Sequence, residues 1–272
     1  MCKTGAKAKL EEFYYNKIVK NILVISKLGR TAVKGQADSG LNIDHMYRNR
    51  AKGITRAGKF VDKVLLNLPS VKATRHKKDI IIKILHNEIA NNLLLKRKTK
   101  ILDIASGPAR YIVDAITKYN QDYIEVLCLD SDRKSINFGK ILAGKKPIRY
   151  AKINVFKLGR LESFSRKISW VPNIIIATGF FETLPDNIFE IILKEAYQNI
   201  EKEALVLFTS QADNPSKDLM ANLGKKQDGQ SWNIFFRTPE HLREVMIKAG
   251  FRDVIISVDK WGIYEYCTGR KP

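Results

Sequence analysis

The residues best suited to chemistry lie in one short stretch, where an apolar run ends in a carboxylate and small residues follow at every second position. Asp103 is that carboxylate, and Ala105, Gly107 and Ala109 are the small residues. Small side chains are needed where a strand turns sharply into a helix, because a larger one would keep a ligand away from the backbone and the helix N-terminus. The pattern predicts a loop for a nucleotide-like cofactor; an ordinary turn after a buried strand is the alternative.

Two kinds of nucleotide-binding loop share this geometry, and the spacing of the small residues separates them. In the dinucleotide fingerprint G-x-G-x-x-G, Arg110 would fall on the third glycine, where close packing of helix on strand requires a small residue. A dinucleotide-dependent oxidoreductase is therefore disfavoured. The other type of loop has a carboxylate followed by small residues at every second position, and Asp103, Ala105, Gly107 and Ala109 supply all four.

A second carboxylate, Asp130, ends the next apolar run. It follows Gly107 at about the distance found in nucleotide-binding α/β units, roughly 20 residues. A carboxylate at the end of the second strand can accept hydrogen bonds from both hydroxyls of a ribose. The neighbouring Asp132 is better explained as the N-cap of the next helix.

With both motifs present, the chain resembles the class I S-adenosylmethionine-dependent methyltransferases, whose first motif runs apolar-apolar-Asp-x-Gly-x-Gly-x-Gly. Ala105 and Ala109 depart from it by one methyl group each. From about residue 38 to 264 the sequence is similar to a family of bacterial methyltransferases, some fused behind an α/β-hydrolase-like domain. Three strings carry this narrower resemblance: Asp38-Ser39-Gly40, Tyr47-Arg48-Asn49 and Gly53-Ile54-Thr55-x-x-Gly58.

The resemblance implies an α/β fold, a three-layer Rossmann-like sandwich whose mostly parallel sheet has an antiparallel last strand. It would occupy residues 98–272, after a basic helical extension or lid at residues 1–97. The implied cofactor is S-adenosylmethionine, held by residues at the ends of the first four strands: Asp103, Ala105, Ser106, Gly107, Asp130, Ser131, Asn154, Val155, Thr178 and Gly179. The resembled family commonly has Asp where Asn154 stands, and Asn can still accept a hydrogen bond through its carbonyl oxygen.

The methyl acceptor is expected after the fourth strand, where Thr178-Gly179-Phe180-Phe181-Glu182 follows an apolar run. Glu182 is the candidate for orienting or deprotonating the acceptor, and the alternative is that it caps the helix near Pro185. Phe180 or Phe181 would border the cationic sulfonium, or would belong to the core. The candidate acceptor contacts are Phe181 in this stretch, Tyr47 and Arg48 in a lid, and Gln211, Trp232 and Arg237 in the segment 210–237.

The net charge of +20 is concentrated in the first hundred residues, where 17 Lys and 6 Arg face 4 Asp and 3 Glu. This favours an anionic partner, either an acidic membrane surface or RNA, although the lysines also fit a solvated surface. Basic residues do not alternate with aromatic ones as in single-strand binding platforms, so a small or lipid-like acceptor is preferred. The alternatives are an RNA methyltransferase and an inactive nucleic-acid-binding module of the same fold.

Cysteine and histidine usage indicates reduced thiols and predicts no metal site. The three cysteines have no metal-ligand spacing, and Cys128 and Cys267 lie within apolar runs that predict burial. The four histidines do not cluster. We expect a cytoplasmic bacterial protein; residues 6–27 form a basic amphipathic helix that docks on the protein's own core or on a membrane face, leaving peripheral association open.

Overall fold

The computed structural model describes residues 13–155, 170–226 and 229–272. Two compact units are present: the first comprises the chain up to Arg75 together with Pro215–Asn233, and the second comprises His76–Asn214 and Ile234–Pro272. By compactness the chain therefore divides after Arg75. The division at residues 97 and 98 that the sequence suggests stays a prediction about functional domains.

The described part of the first unit is helical. A π-helical segment at Tyr14–Val19 is followed by α1 (Lys20–Leu23), α2 (Lys27–Thr31), a second π-helical segment (Ala32–Gln36), α3 (Gly40–Arg48), α4 (Arg56–Leu66), the start of α5 (Pro69–Leu94) and, later in the chain, α9 (Lys217–Leu223). Where residues 6–27 were expected to be one helix, the described part is interrupted at Ser26. The Ser26 hydroxyl accepts the Gly29 N–H at 3.0 Å and so caps a new helix.

A buried carboxylate holds this unit together. Asp62 in α4 accepts the Leu28 N–H at 2.6 Å and the Lys52 N–H at 2.8 Å, and its second oxygen lies 2.9 Å from His45 Nε2 in α3. Burial raises the pKa of Asp62, but the hydrogen bonds from His45 and the two amides outweigh that effect and leave the pKa below its ordinary value. An apolar cluster packs in the same unit, formed by Leu28, Met46, Leu66 and Val71.

Across the described residues, the second unit contains one seven-stranded sheet in the order β3-β2-β1-β4-β5-β7-β6. Its strands are β1 (Thr99–Ile104), β2 (Ile124–Asp130), β3 (Ile148–Lys152), β4 (Ile174–Ala177), β5 (Leu205–Gln211), β6 (Arg252–Val258) and β7 (Tyr264–Arg270). The first five pair in parallel, whereas β7 runs antiparallel to both β5 and β6. The predicted sheet, with its antiparallel last strand, is confirmed.

Helices cover the sheet, as the apolar composition of its inner strands requires. They are the remainder of α5, α6 (Arg110–Ile116), α7 (Arg133–Ala143), α8 (Asp186–Gln198) and α10 (Pro239–Lys248). Every residue of β4 and β5 is buried, which is the pattern of central strands with both faces covered. Thr238 caps α10 and Pro239 begins it, as predicted. Cys128 in β2 and Cys267 in β7 are buried free thiols, also as predicted, while Cys2 lies outside the described residues.

The strand order determines where a ligand can bind. The chain passes from β1 outward to β2 and β3, then crosses to β4 and β5 on the other side of β1. In open α/β sheets such a reversal leaves a crevice at the carboxyl ends of the two central strands. Asp130 and Gly179 follow strands that end at this edge. No helix in the described segments is long and apolar enough to cross a membrane.

Candidate functional site

The loop after β1 owes its small residues to its backbone conformation. Ala105, Gly107 and Ala109 all have positive φ, at 54°, 56° and 54°. Glycine adopts this left-handed region freely, and an L-residue there costs roughly 1–2 kcal/mol, more if it is branched at Cβ. The alternate spacing seen in the sequence is therefore a spacing of left-handed residues, and α6 begins directly after Ala109.

Asp130 fastens this loop to the end of β2. Its Oδ2 accepts the Gly107 N–H at 2.7 Å, and its Oδ1 accepts the Asp132 N–H at 2.7 Å. The Ser106 N–H also donates to the Leu129 carbonyl at 3.0 Å. Burial raises the pKa of Asp130, and these amide bonds work in the opposite direction. Asp132 caps α7 by accepting the Lys134 N–H at 2.9 Å, which confirms that part of the sequence prediction.

Asp103 is fully buried at the end of β1. The Tyr111 hydroxyl donates to its Oδ2 at 2.6 Å, whereas Oδ1 has no hydrogen-bond partner among the described residues. Burial, followed by the charge of Asp130, raises the pKa of Asp103 well above its ordinary value, against the effect of the Tyr111 bond. Tyr111 was not predicted from the sequence, although a tyrosine in the first turn after such a loop lies close enough to contact the carboxylate at the end of β1.

Tyr150 in β3 supports the loop from its other side, and it too was missed. Its hydroxyl donates to the Pro108 carbonyl at 3.0 Å. Gly139 in α7 allows this placement, because a Cβ atom there would meet the Tyr150 ring at 2.6 Å. The remaining predicted cofactor residues near β2 and β3 lie at the same sheet edge: Ser131 and Asn154 are exposed and Val155 is buried. Residues 156–169 lie outside the described residues.

Gly179 lies at the carboxyl end of β4 and is exposed. Its φ is 72°, and its N–H donates to Thr209 Oγ1 at 2.9 Å. A Cβ atom built on it would lie 3.4 Å from Lys77 Nζ and 4.0 Å from Glu182 Oε1. Gly179 therefore brings solvent close to two buried charged groups, and its neighbour Thr178 is half-buried.

Glu182 is in a short 3₁₀ turn, Phe181–Thr183, and does not cap the next helix. The N-cap of α8 is Pro185, and no side chain caps it. Gln211, whose Oε1 accepts from Asn214 at 2.9 Å, is hydrogen-bonded to Glu182. Burial raises the pKa of Glu182, and the charge of Lys77 is the largest effect opposing it. The capping alternative is thus wrong, and the carboxyl group is held inside the protein.

Phe181 and Arg237 serve the packing of this edge. The Phe181 ring is 1% exposed and lies 5.0 Å, between ring centroids, from both Phe189 and Phe208. Arg237 donates to Asp186 at 2.7 Å and to the carbonyls of Phe181 and Leu184 at 2.9 and 2.5 Å. Because of these contacts, neither side chain has much surface left for contact with an acceptor. Phe181 belongs to the hydrophobic core, which is the alternative that the sequence left open for it.

The other predicted acceptor contacts belong to the first unit. Tyr47 and Arg48 lie at the end of α3, where Tyr47 is half-buried and Arg48 Nε pairs with Asp44 at 2.9 Å. Trp232 is half-buried and packs beside Gly224, which accepts its N–H at 3.0 Å. Three of the six predicted contacts therefore belong to the first unit and three to the second. Of the latter, Gln211 is hydrogen-bonded to Glu182.

Two buried ionisable residues of the second unit, Lys77 and Glu265, were not predicted from the sequence. Lys77 is 2% exposed, and its ammonium lies 4.2 Å from the centroid of the Tyr264 ring. Glu265 in β7 is fully buried, and burial raises its pKa to about 7. The sequence shows Glu265 between Tyr264 and Tyr266 but does not show that its side chain is buried. Among residues 13–155, 170–226 and 229–272, no group of His, Cys and carboxylate side chains is placed to hold a metal ion.

Comparison with known proteins agrees with this architecture. A family model described as "Putative methyltransferase" matches residues 2–271. The uncharacterized protein YnbC of Escherichia coli K12 is 24% identical over 234 residues, which cover 84% of this chain and 39% of YnbC. The chain therefore spans well under half the length of that curated relative.

Solved structures share the fold at low sequence identity. A Bordetella parapertussis protein, described as a possible exported protein, has a TM-score of 0.69 at 14% identity, with 100% of both chains covered. The CurJ carbon methyltransferase has a TM-score of 0.62 at 12% identity, covering 99% of this chain and 72% of its own. Magnesium protoporphyrin IX methyltransferase (ChlM) of Synechocystis PCC 6803, solved with bound SAH, has a TM-score of 0.57 at 10% identity. The match covers 85% of this chain and 94% of ChlM. Since the family model spans nearly the whole chain, and methyltransferases share its sheet, this protein is a member of that methyltransferase family.

Proposed function

We propose that this protein transfers a methyl group from S-adenosylmethionine to a nitrogen, oxygen or carbon atom of an acceptor. The observation that carries the proposal is the 2.7 Å bond from the Gly107 N–H to Asp130, which joins the loop after β1 to the end of β2. That junction is where open α/β sheets bind nucleotides. Membership of the methyltransferase family supports the reaction class.

The residues at this junction fit an adenosine-bearing cofactor. The Asp130 oxygens accept the Gly107 and Asp132 N–H groups, and the Ser131 amide also acts on this carboxylate. A carboxylate offers about four lone pairs, so acceptor capacity remains for a ribose hydroxyl. Asp103 Oδ1 is a buried acceptor without a partner in the described chain. Asn154 and Val155, just past β3, are our candidates for the adenine: Asn154 through its side-chain carbonyl and Val155 through its backbone N–H.

When bound, the cofactor's sulfonium supplies an electrophilic methyl group, and no protein nucleophile is needed. The tasks of the chain are to align the acceptor, exclude water and take up a proton where one is released. Thr178 and Gly179 at the end of β4 would border the reacting atoms. Glu182, close to Gly179 and buried, is the candidate for orienting the acceptor or receiving its proton.

Calorimetry tests the cofactor assignment. The purified protein should bind S-adenosylmethionine and S-adenosylhomocysteine, and should bind NAD more weakly than either. Tighter binding of NAD would overturn the proposal, as would the absence of binding by both sulfur-containing nucleosides.

For the acceptor, we propose a small or lipid-like molecule, with the first unit resting on an anionic membrane surface. The described first unit exposes large apolar side chains, each of them between 46% and 68% exposed: Phe13, Tyr14, Ile18, Ile22, Ile54, Phe60 and Val64. Exposed lysines and an arginine lie beside them in sequence: Lys17, Lys20, Arg56, Lys59 and Lys63. Apolar side chains can enter the headgroup boundary while basic residues attract acidic lipids.

Co-sedimentation with phosphatidylcholine vesicles, with or without phosphatidylglycerol, tests this placement. We expect binding to the acidic vesicles alone, weakened by salt, and lost in Phe60→Asp. Ile247→Asp is the matched control, because Ile247 on α10 of the other unit is 58% exposed and Phe60 is 68% exposed. Salt-sensitive filter binding to mixed RNA without vesicle binding would favour the RNA alternative; binding to neither would leave the lysines as solvated surface and overturn the membrane proposal.

A further inference from the structure

Two buried carboxyl groups, Glu182 and Glu265, have unsatisfied oxygens. Glu182 is 2% exposed and Glu265 is 0% exposed. Within the described segments, Glu182 Oε2 has no hydrogen-bond partner. The Glu265 carboxyl group faces the Ser210 hydroxyl, its cross-strand neighbour, and no closely aligned hydrogen bond satisfies either of its oxygens. Buried polar atoms are nearly always paired, because an unpaired polar group in an apolar medium loses its hydrogen bonds to water without replacement. The cluster formed by Glu182, Glu265 and Ser210 therefore favours a ligand that donates hydrogen bonds.

The two carboxyl groups lie at the edge of the sheet where the methyl acceptor is expected. Glu182 follows β4, and Glu265 is the direct cross-strand partner of Ser210 near the end of β5. The exposed Gly179 brings this cluster close to solvent, since a Cβ atom on it would lie 4.0 Å from Glu182 Oε1. The cluster is thus adjacent to the β4 end and separate from the cofactor residues at β1 and β2.

The surroundings of Glu182 and Glu265 raise the pKa of both carboxyl groups and so favour their protonated forms. Burial raises the pKa of Glu182, opposed by the charges of Lys77 and Arg237 and by the bond to Gln211. Burial raises the pKa of Glu265 to about 7, opposed by Ser210 and Arg237 and reinforced by the charges of Glu182 and Glu240. Arg237 itself is committed to Asp186 and two carbonyls.

On the basis of the proposed function, we propose that Glu182 and Glu265 form the recognition site for a primary or secondary amine, which is the methyl acceptor. Carboxylate oxygens only accept hydrogen bonds, and an ammonium group offers up to three donors and a positive charge that offsets the buried negative charge. A hydroxyl or phenol offers one donor and no charge. The unpartnered Glu182 oxygen, together with the Glu265 carboxyl group beside the Ser210 hydroxyl, therefore matches an amine best.

The pair also provides the proton transfer that an amine acceptor requires. The bound ammonium gives one proton to a carboxylate of the pair and becomes a neutral amine with a lone pair on nitrogen. That lone pair forms the new C–N bond as the C–S bond breaks, and the electron pair of the C–S bond stays on sulfur. The methylated nitrogen then carries the positive charge, and the carboxyl proton is released to solvent when the product leaves.

A titration that needs no known substrate tests this assignment. In protein labelled with ¹³C at the glutamate carboxyl carbon and saturated with S-adenosylhomocysteine, one signal should titrate with a pKa near 7 and vanish in Glu265→Gln. Butylamine should lower that pKa by about one unit, whereas butanol should leave it unchanged. Glu182→Gln should lower the pKa without ligand, because a neighbouring negative charge is lost, and should weaken the response to butylamine at least tenfold.

The controls separate this proposal from the cofactor assignment. Glu244→Gln, an exposed glutamate on α10, should titrate and respond as the wild type does. If the wild type binds S-adenosylhomocysteine but butylamine acts no differently from butanol, the amine site is wrong and the cofactor assignment stands. A failure of the wild type to bind S-adenosylhomocysteine would instead overturn the proposed function. If Glu265→Gln does not fold, Glu182→Gln alone decides, since an unchanged butylamine response there would overturn the pair.

Discussion

The Asp130 carboxylate accepts the Gly107 N–H at 2.7 Å, so the end of β2 and the loop after β1 are held by one side chain. Its other oxygen accepts the Asp132 N–H at 2.7 Å and orders the turn that leads into α7. The same carboxylate is our candidate for the ribose of the cofactor. Shaping the loop and binding the ligand should therefore be coupled, because both depend on the oxygens of Asp130.

Replacing Asp130 with Ala should weaken binding of S-adenosylmethionine by at least the value of one charged hydrogen bond, about 1.5–3 kcal/mol. The loop should also lose order, which adds to the effect. Calorimetry measures the affinity. Asp132→Ala is the matched control, since it removes a helix cap worth about 0.5–2 kcal/mol of stability and should leave cofactor affinity nearly unchanged. Equal affinities for wild type and Asp130→Ala would remove Asp130 from the cofactor site.

Gly107→Val should abolish cofactor binding, because valine at a φ of 56° strains the loop and its side chain occupies the space next to the ligand. Gly262→Val provides the control. Gly262 also has positive φ, 68°, but no atom lies within 4 Å of a Cβ built there, and it belongs to the turn before β7. Both variants should lose stability in thermal melts, and only Gly107→Val should lose affinity by calorimetry. Normal binding by Gly107→Val would mean that the loop is misassigned.

The elements that the sequence predicted well are those specified by local chemistry. Buried apolar runs predict the strands, Thr238-Pro239 predicts the start of α10, and Asp132 predicts a helix cap. Pro69 is another local signal: α4 ends at Leu66, before the proline, and α5 begins with it, in the first turn where proline is tolerated. The position of Ser26, which interrupts the first predicted helix, depends on a cap that apolar spacing does not reveal.

Residues that depend on long-range pairing were not predictable from the sequence. Glu265 acquires its surroundings because β7 lies between β5 and β6, which no pattern within residues 252–270 specifies. Lys77 is one of many lysines in a basic helix, and its burial against Tyr264 follows from the tertiary fold alone. Tyr150 likewise reaches the Pro108 carbonyl only once β3 has paired with β2.

Ala105→Gly should leave the protein as stable as the wild type or more stable by about 1 kcal/mol. Alanine at a φ of 54° is strained, and glycine removes that strain, although it also gains freedom in the unfolded chain. Ala115→Gly, inside α6, should instead cost about 1 kcal/mol because no positive φ is relieved there. Urea unfolding compares the two. A larger loss for Ala105→Gly than for Ala115→Gly would contradict the left-handed conformation of the loop.

Asp62→Asn should destabilise the first unit by roughly 1.5–3 kcal/mol for each hydrogen bond to the carboxylate that is lost. An amide cannot accept the bonds from Leu28, Lys52 and His45 at both of its ends. Hydrogen exchange of the Leu28 and Lys52 amides is the most direct measurement, and their protection should fall together. Asp79→Asn, at an exposed position, should leave both amides protected. Because the pKa of Asp62 is lowered in the folded state, its contribution should be lost as the pH falls through that lowered value.

Glu265 should make the protein less stable as the pH rises from about 4.5 to about 7. Its ordinary pKa is 4.5, and burial raises the folded-state value to about 7. Within that window the folded state holds a proton that the unfolded state has released, so the free energy of unfolding falls with rising pH, by at most about 1.4 kcal/mol per pH unit. Above pH 7 the contribution should level off.

Urea unfolding of wild type and Glu265→Gln across this window isolates the contribution of Glu265. Asp103 and Asp130 also have raised pKa values and act with the same sign, so the wild-type profile alone does not assign the effect. The difference between the two profiles should grow from about pH 4.5 to about pH 7, with the glutamine variant losing less stability. Glu244→Gln should follow the wild type, since that side chain is exposed. Parallel profiles for wild type and Glu265→Gln would show that burial in β7 does not raise the pKa of Glu265.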